Sequence, residues 1–265
     1  MNADPDSQPS SGTVFLVGAG PGDPGLLTVR ALELIQQATL VLHDHLVSAA
    51  ILARCSPRAR LISVGKVGHG SRTEQSAIER QLIAHARDRR NIVVRLKGGD
   101  PLLFGRGAEE ASALRAAGIR FEIVPGVSSA LAAPAYAGIP VTLRGVATSV
   151  AVVTGHCAHP DGPPLHIPLA DTIVVLMGVT NARAIRDRVI AAGRSPDTPV
   201  AVIEWGTCPA QRVEVATLAT LPELIAHSGL GAPAVIVIGE TVRARPNLDW
   251  FRSQDRLAEL LSVVP

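Results

Sequence analysis

Lysine is nearly absent from this chain: of its 25 basic residues only Lys66 and Lys97 are lysines, and the other 23 are arginines. Any lysine position is therefore informative, and both fall at the ends of predicted strands. Aromatic residues make up only 3% of the chain, the formal charge is +2, and basic residues form no dense run. The stacking platform and basic footprint by which nucleic-acid binders hold their ligands are thus both missing, and no nucleic-acid partner is expected. No apolar run in the sequence approaches the roughly 18 residues that span a bilayer, so no membrane partner is expected either. The start, Met1 to Gly12, carries Asp, Ser and Pro in place of a basic and then apolar export signal, and reads as a disordered tail. Cysteine is scarce too: Cys55, Cys157 and Cys208 are odd in number and far apart, which fits a reducing compartment, the cytoplasm, better than a disulfide framework.

What is present is a large apolar fraction, 47% of 265 residues, enough to bury the core of one large domain or two ordinary ones. Short β-branched or leucine-rich runs at 13–17, 40–43, 61–64 and 92–96 read as strands. Between and after them, Leu27, Ala31, Leu34 and Ala38, then Ala108, Ala111, Leu114 and Ala117, follow helical spacing, as in the crossover helices of a parallel sheet. A second series follows, with strands at 150–154, 172–177, 200–204, 212–216 and 234–238 and a helix marked by Ala182, Ile185, Val189 and Ala192. The segment Gly138 to Gly145 has neither periodicity and is punctuated by Gly and Pro. The boundary is placed there, giving an N-terminal α/β domain over 13–142, a C-terminal α/β domain over 143–245, and a terminal helix or tail over 246–265.

Gly-Asp-Pro occurs twice after a predicted strand, as Gly22-Asp23-Pro24 and as Gly99-Asp100-Pro101. Aspartate suits a helix N-cap, proline the first helical position, and glycines before them let a ligand approach the backbone. Gly18-Ala19-Gly20 with Asp44 after the second strand imitates a dinucleotide fingerprint, but the third glycine is replaced by Asp23, and Pro21 and Pro24 stiffen the loop. A phosphate-binding P-loop fails as well, because Gly65-Lys66 is followed by Val67 and lacks a glycine at the required spacing.

The ordered set Val17-Gly-Ala-Gly-Pro-Gly-Asp-Pro24, Val64-Gly-Lys66, Arg95-Leu-Lys-Gly-Gly-Asp-Pro101, Phe104-Gly-Arg-Gly107, Val124-Pro-Gly-Val-Ser-Ser129, Tyr136-Ala-Gly-Ile-Pro140 and Val153-Thr-Gly-His156 resembles the uroporphyrinogen-III C-methyltransferases of the tetrapyrrole methylase superfamily. The resemblance continues through Met177-Gly178, Thr198-Pro-Val-Ala-Val202, Gly206-Thr207 and Pro233-Ala-Val-Ile-Val-Ile-Gly239. It implies an α/β protein of two domains with largely parallel sheets and the active site in the cleft between them, and a homodimer. It also implies S-adenosyl-L-methionine as cofactor, leaving as S-adenosyl-L-homocysteine. The implied reaction on a small-molecule tetrapyrrole converts uroporphyrinogen III through precorrin-1 to precorrin-2, with methylation at C2 and C7. A sister methylase acting on a later precorrin, or a non-catalytic cofactor-binding homologue, are the alternatives.

Methyl transfer from a sulfonium asks the protein mainly for orientation and for removal of a proton. The resemblance implies cofactor contacts at Pro21, Gly98, Gly99, Asp100, Leu103, Ser128, Ser129, Met177 and Gly206, with Asp44 as proton acceptor and Lys66 as proton donor. Read alone, Asp100 is an N-cap, Ser128 and Ser129 cap the next helix, Met177 is a strand-end core residue, Asp44 a turn residue and Lys66 a surface charge. The substrate's carboxylates call for arginine forks, and of Arg30, Arg95, Arg106 and Arg144 the matched motifs favour Arg106 and Arg144.

Two departures bear on substrate preference. His43-Asp44-His45 stands where relatives usually have Tyr-Asp-Arg, and Thr142-Leu143-Arg144 where they usually have Thr-His-Arg. His156, Cys157, His159 and His166 are residue types that suit zinc, yet the resemblance accounts for His156 as part of a strand-end motif, and no metal is expected.

Overall fold

The computed structural model describes residues 12–64, 75–156 and 167–251. They divide into two compact units between Ser128 and Ser129, so the Gly138–Gly145 segment, where the sequence places the boundary, lies inside the second unit. The first unit runs β1 (Thr13–Gly18), α1 (Val29–Gln37), β2 (Leu40–His43), α2 (Ala49–Leu52), β3 (Arg60–Ser63), α3 (Gln75–Ala86), β4 (Val93–Lys97), α4 (Gly107–Ala116) and β5 (Arg120–Val124). The second runs α5 (Ser129–Tyr136), β6 (Val150–Thr154), β7 (Thr172–Leu176), α6 (Ala182–Ala191), β8 (Pro199–Glu204), β9 (Arg212–Thr217), α7 (Leu221–Ser228), β10 (Ala234–Ile238) and α8 (Arg245–Leu248).

The first sheet has the order β3-β2-β4-β1-β5 and is parallel throughout. All five residues of β4 are buried, as a central strand covered on both faces requires. Strand alternation sends Val94 and Leu96 into a core with Ala31, Leu34 and Ile35 of α1 and Ile51 of α2. It sends Val93 into the opposite core, with Ile78 and Leu82 of α3 and Ala111 and Leu114 of α4. Arg95 and Lys97 share the side of Val93, and this puts two cations under α4. The buried stripe of α4 is Gly107, Glu110, Ala111 and Leu114, one step round from the expected one, and Ala108 and Ala117 are exposed.

The second sheet has the order β6-β7-β10-β8-β9, and the parallel expectation holds there only for the β6–β7 pair. The other three pairs are antiparallel. The physical reason lies in the connections: only residues 205–211 separate β8 from β9, whereas a parallel return needs roughly a dozen residues. Its core joins Ile173, Val200 and Ile236 of the sheet to Ile185 and Val189 of α6 and Leu221 of α7. Three of the few aromatics, Tyr136, Trp250 and Phe251, cluster with ring centroids 5.0–5.8 Å apart. Trp250 also donates its indole N–H to the Ala135 carbonyl at 3.0 Å, which ties the segment after α8 to α5.

Candidate active site

The two Gly-Asp-Pro loops lie side by side at the carboxyl ends of β1 and β4. Gly99 N–H donates to the Gly20 carbonyl at 2.8 Å, Gly20 N–H returns to Gly99 at 3.2 Å, and Ala19 N–H reaches the Lys97 carbonyl at 2.7 Å. Neither tripeptide caps an α-helix directly. Asp23 caps a short 3-10 turn, its carboxylate accepting from Gly25 N–H at 2.7 Å, and Thr28 caps α1. Asp100 accepts from Leu102 N–H at 2.8 Å with one oxygen and from Gly126 N–H at 3.1 Å with the other. It therefore closes its own turn and staples the loop after β5 to the loop after β4, and α4 begins only at Gly107.

The glycines here answer different demands. A Cβ at Gly126 would stand 2.3 Å from the Gly99 carbonyl oxygen, and one at Gly18 2.5 Å from Gly126 nitrogen, so both allow backbone to pack on backbone. Gly99, at φ +67°, holds a left-handed turn that favours glycine. Gly98 has neither reason: among the described residues an added Cβ would meet only the Leu46 Cβ, at 3.7 Å. Its bare backbone leaves space on the loop, the cradle a cofactor lying against residues 98–100 would use.

Asp44 follows β2 at the same sheet edge, its N–H bonded to the Leu96 carbonyl at 3.0 Å. One carboxylate oxygen accepts from Arg95 at 2.5 Å and the other from Gly98 N–H at 3.3 Å, while a third of the side chain stays exposed (33%). Behind it, Arg95 (2% exposed) donates its Nε to Glu110 (0%) at 3.1 Å, and Lys97 Nζ donates to the same Glu110 oxygen at 3.0 Å. Burial, and then the Arg95 charge, hold the Lys97 ammonium below the ordinary lysine value. The chain Asp44–Arg95–Glu110–Lys97 was not evident as a unit from sequence. Glu110 in the first turn of a helix resembles a surface acid favoured by the helix dipole, and the signal that could have revealed it is its slot in the buried stripe with Ala111 and Leu114.

The structure draws Pro21, Gly98, Gly99, Asp100 and Asp44 together, the first through the Gly20–Gly99 pairing. Leu103 is half-buried in the turn between Asp100 and α4. Arg106, at the start of α4 with φ +59°, is exposed and its fork is engaged by Glu109 at 2.9 and 2.6 Å. Ser128 ends the first unit and Ser129 opens α5 of the second. Met177 and Gly206 follow β7 and β8, whose ends flank the start of β10. Met177 is half exposed (50%) with φ +56°, so it is no core residue. A Cβ at Gly206 would fall 2.4 Å from that of Ala133, so packing of α5 alone already demands glycine there. Arg144 lies exposed at the tip of the tight Leu143–Ala147 turn, with no ion pair among the described residues. Lys66, Cys157, His159 and His166 lie outside the described residues.

The family model described as Tetrapyrrole (Corrin/Porphyrin) Methylases matches residues 13–222. The chain belongs to this family. Among relatives, the uroporphyrinogen-III C-methyltransferase of Synechocystis sp. is 46% identical over 96% of each chain. The siroheme synthase of Tolumonas auensis is 50% identical over 91% of this chain but only 52% of its own. The chain spans about half the length of the siroheme synthases it matches. A solved methylase, uroporphyrin-III C-methyltransferase from Thermus thermophilus complexed with S-adenyl homocysteine, superposes with a TM-score of 0.75 at 40% identity, covering 88% of this chain and 99% of that one. Open parallel α/β sheets bind ligands outside the carboxyl ends of their strands, and that is the edge at which Asp44 and the 98–100 loop meet.

Proposed function

We propose that this chain is an S-adenosyl-L-methionine-dependent C-methyltransferase that converts uroporphyrinogen III through precorrin-1 to precorrin-2, methylating C2 and C7, on the route to sirohaem and cobalamin. The observation that carries the reading is the bond from Gly98 N–H to the Asp44 carboxylate, which fixes an acid beside a loop glycine that neither the packing of the described residues nor a positive φ requires. Bound S-adenosyl-L-methionine supplies a methyl group activated on a sulfonium sulfur and departs as S-adenosyl-L-homocysteine. Residues 98–100, Pro21 and Leu103 hold and orient it, as do Ser128 and Ser129, and Met177 and Gly206 are further proposed contacts. Asp44 accepts the proton that the macrocycle loses for each carbon–methyl bond formed, so each transfer exchanges one methyl for one proton. Lys66 is the proposed proton donor, and Arg106 and Arg144 pair with substrate carboxylates.

A homodimer in the cytoplasm completes the proposal. Among the described residues neither Cys55 nor Cys208 forms a disulfide, and no helix is long and apolar enough to cross a membrane. The test is methyl uptake from labelled S-adenosyl-L-methionine by a panel of tetrapyrroles, read by mass. Doubly methylated product from uroporphyrinogen III supports the reading. Uptake confined to later precorrins, which the His43 and His45 departures beside Asp44 would favour, assigns the sister activity; no uptake by folded protein overturns both.

A further inference from the structure

Beyond the acid itself, we propose that Arg95, seated on buried Glu110, is the positioning residue for Asp44, fixing the carboxylate against Gly98 in the orientation that accepts the substrate proton. The inference rests on the reading of Asp44 as proton acceptor.

Every nitrogen of the Arg95 guanidinium is engaged. Nε meets Glu110 at 3.1 Å, Nη1 points at the carbonyls of Leu96 (3.3 Å) and Leu42 (3.5 Å), and Nη2 meets Asp44 at 2.5 Å. A fork held at three corners has no freedom to turn, so the Asp44 oxygen it grips has none either. Lysine, a single point charge, could not make this bridge.

Stability alone does not account for the arrangement. Arg95 and Lys97 of the central strand and Glu110 of α4 are almost wholly buried between sheet and helix, where desolvation of each ion costs several kcal/mol and apolar side chains of similar size serve as well or better. The bonding is also one-sided. Glu110 Oε1 accepts from Arg95, Lys97 and, at 3.3 Å, from Gln75, while Oε2 is buried with no partner among the described residues. A network built to satisfy Glu110 would use both oxygens. This one converges on the oxygen that anchors Arg95, and Arg95 is the only member that reaches the exposed edge where Asp44 stands.

The charged and titratable groups bonded to Asp44, directly or through Arg95, or beside it in the chain are Arg95 and Lys97 of β4, Glu110 of α4, and His43 and His45. Arg95→Lys keeps the charge beside Asp44 but removes the fork, whereas Glu110→Gln keeps the fork but weakens its anchor.

The experiment measures kcat and KM separately for Asp44→Asn, Arg95→Lys, Arg95→Gln and Glu110→Gln, with S-adenosyl-L-homocysteine affinity measured by calorimetry on each. Asp44→Asn is expected to abolish turnover. Arg95→Lys and Arg95→Gln are expected to lower kcat about 100-fold with KM and the calorimetric Kd unchanged, as misplacement of a reacting group does. Glu110→Gln, which loosens the fork without removing it, is expected to lower kcat about 10-fold, again with KM and Kd unchanged. If Arg95 variants do not fold, the isosteric Glu110→Gln decides by whether kcat falls while KM and Kd hold. A kcat unchanged in the folded Arg95 and Glu110 variants, with Asp44→Asn inactive, overturns the positioning role and leaves the proton acceptor standing. An active Asp44→Asn overturns the reading beneath it.

Discussion

Gly20 and Gly99 exchange backbone hydrogen bonds at 2.8 and 3.2 Å, so two loops that are 79 residues apart in the chain form one antiparallel rung at the carboxyl edge of the first sheet. The repeated Gly-Asp-Pro motif is thereby a single structure, with Asp100 stapling a third loop to it through Gly126.

From that rung follows a contrast between neighbouring glycines. Gly98→Ala adds a methyl that meets only Leu46, so the unfolding free energy should stay within about 0.5 kcal/mol of the parent, whereas calorimetry should find S-adenosyl-L-homocysteine bound at least 10-fold more weakly, about 1.4 kcal/mol. Gly126→Ala drives a methyl to 2.3 Å from the Gly99 carbonyl oxygen and should destabilise by about 3 kcal/mol in denaturant titration.

Arg106 and Glu109 compete with the proposed substrate contact. The Arg106 fork is already paired at 2.9 and 2.6 Å, and both side chains are more than half exposed, so the pair itself adds little stability. Arg106→Ala should raise KM for the tetrapyrrole about 10-fold with kcat nearly unchanged, the signature of lost uniform binding. Glu109→Gln frees the fork and should lower that KM. Steady-state kinetics at fixed cofactor reads both signs.

Met177 sits in a left-handed conformation that costs a non-glycine residue about 1 kcal/mol, with half its side chain in solvent. Strain kept at an exposed position is a mark of use. Met177→Gly should therefore raise the melting temperature slightly while weakening S-adenosyl-L-homocysteine binding, and a variant that loses both would count against the assignment.

How much of this was legible before the structure divides along physical lines. Nine of the ten strands among the described residues follow from β-branched runs, because such runs state that a segment is buried and extended. They do not state direction, which is why the antiparallel pairs of the second sheet were missed while the short link from β8 to β9 held the clue. β5, Arg120-Phe-Glu-Ile-Val124, escaped because as an edge strand it keeps charged side chains at alternate positions. Resemblance proposes Asp44 as the proton acceptor, but gives no sign of the Arg95–Glu110 pair behind it. A buried acid is invisible in a helix whose periodicity is carried by alanines, and only packing shows which side of α4 faces the strand.

Asp171, in the second unit, offers a separate pH test. Its carboxylate accepts from the N–H and hydroxyl groups of both Thr148 and Ser149 and is held down at about 2 by these bonds, below the ordinary 3.8. A carboxylate with a lowered folded value stabilises the protein above its unfolded value and loses that contribution as pH falls through the folded one. The stability gap between parent and Asp171→Asn should therefore be full above pH 3.8 and close as pH drops toward about 2, followed by denaturant midpoints across that window. A gap that does not change with pH would contradict the assignment.

The central claim is that Asp44 takes the proton beside the 98–100 loop. The most direct measurement compares parent and Asp44→Asn at saturating labelled S-adenosyl-L-methionine and uroporphyrinogen III, with product mass as the readout. The account predicts two added methyl groups with the parent and none with Asp44→Asn, although both bind S-adenosyl-L-homocysteine equally. Two methyl groups added by Asp44→Asn at the parent's rate would contradict it.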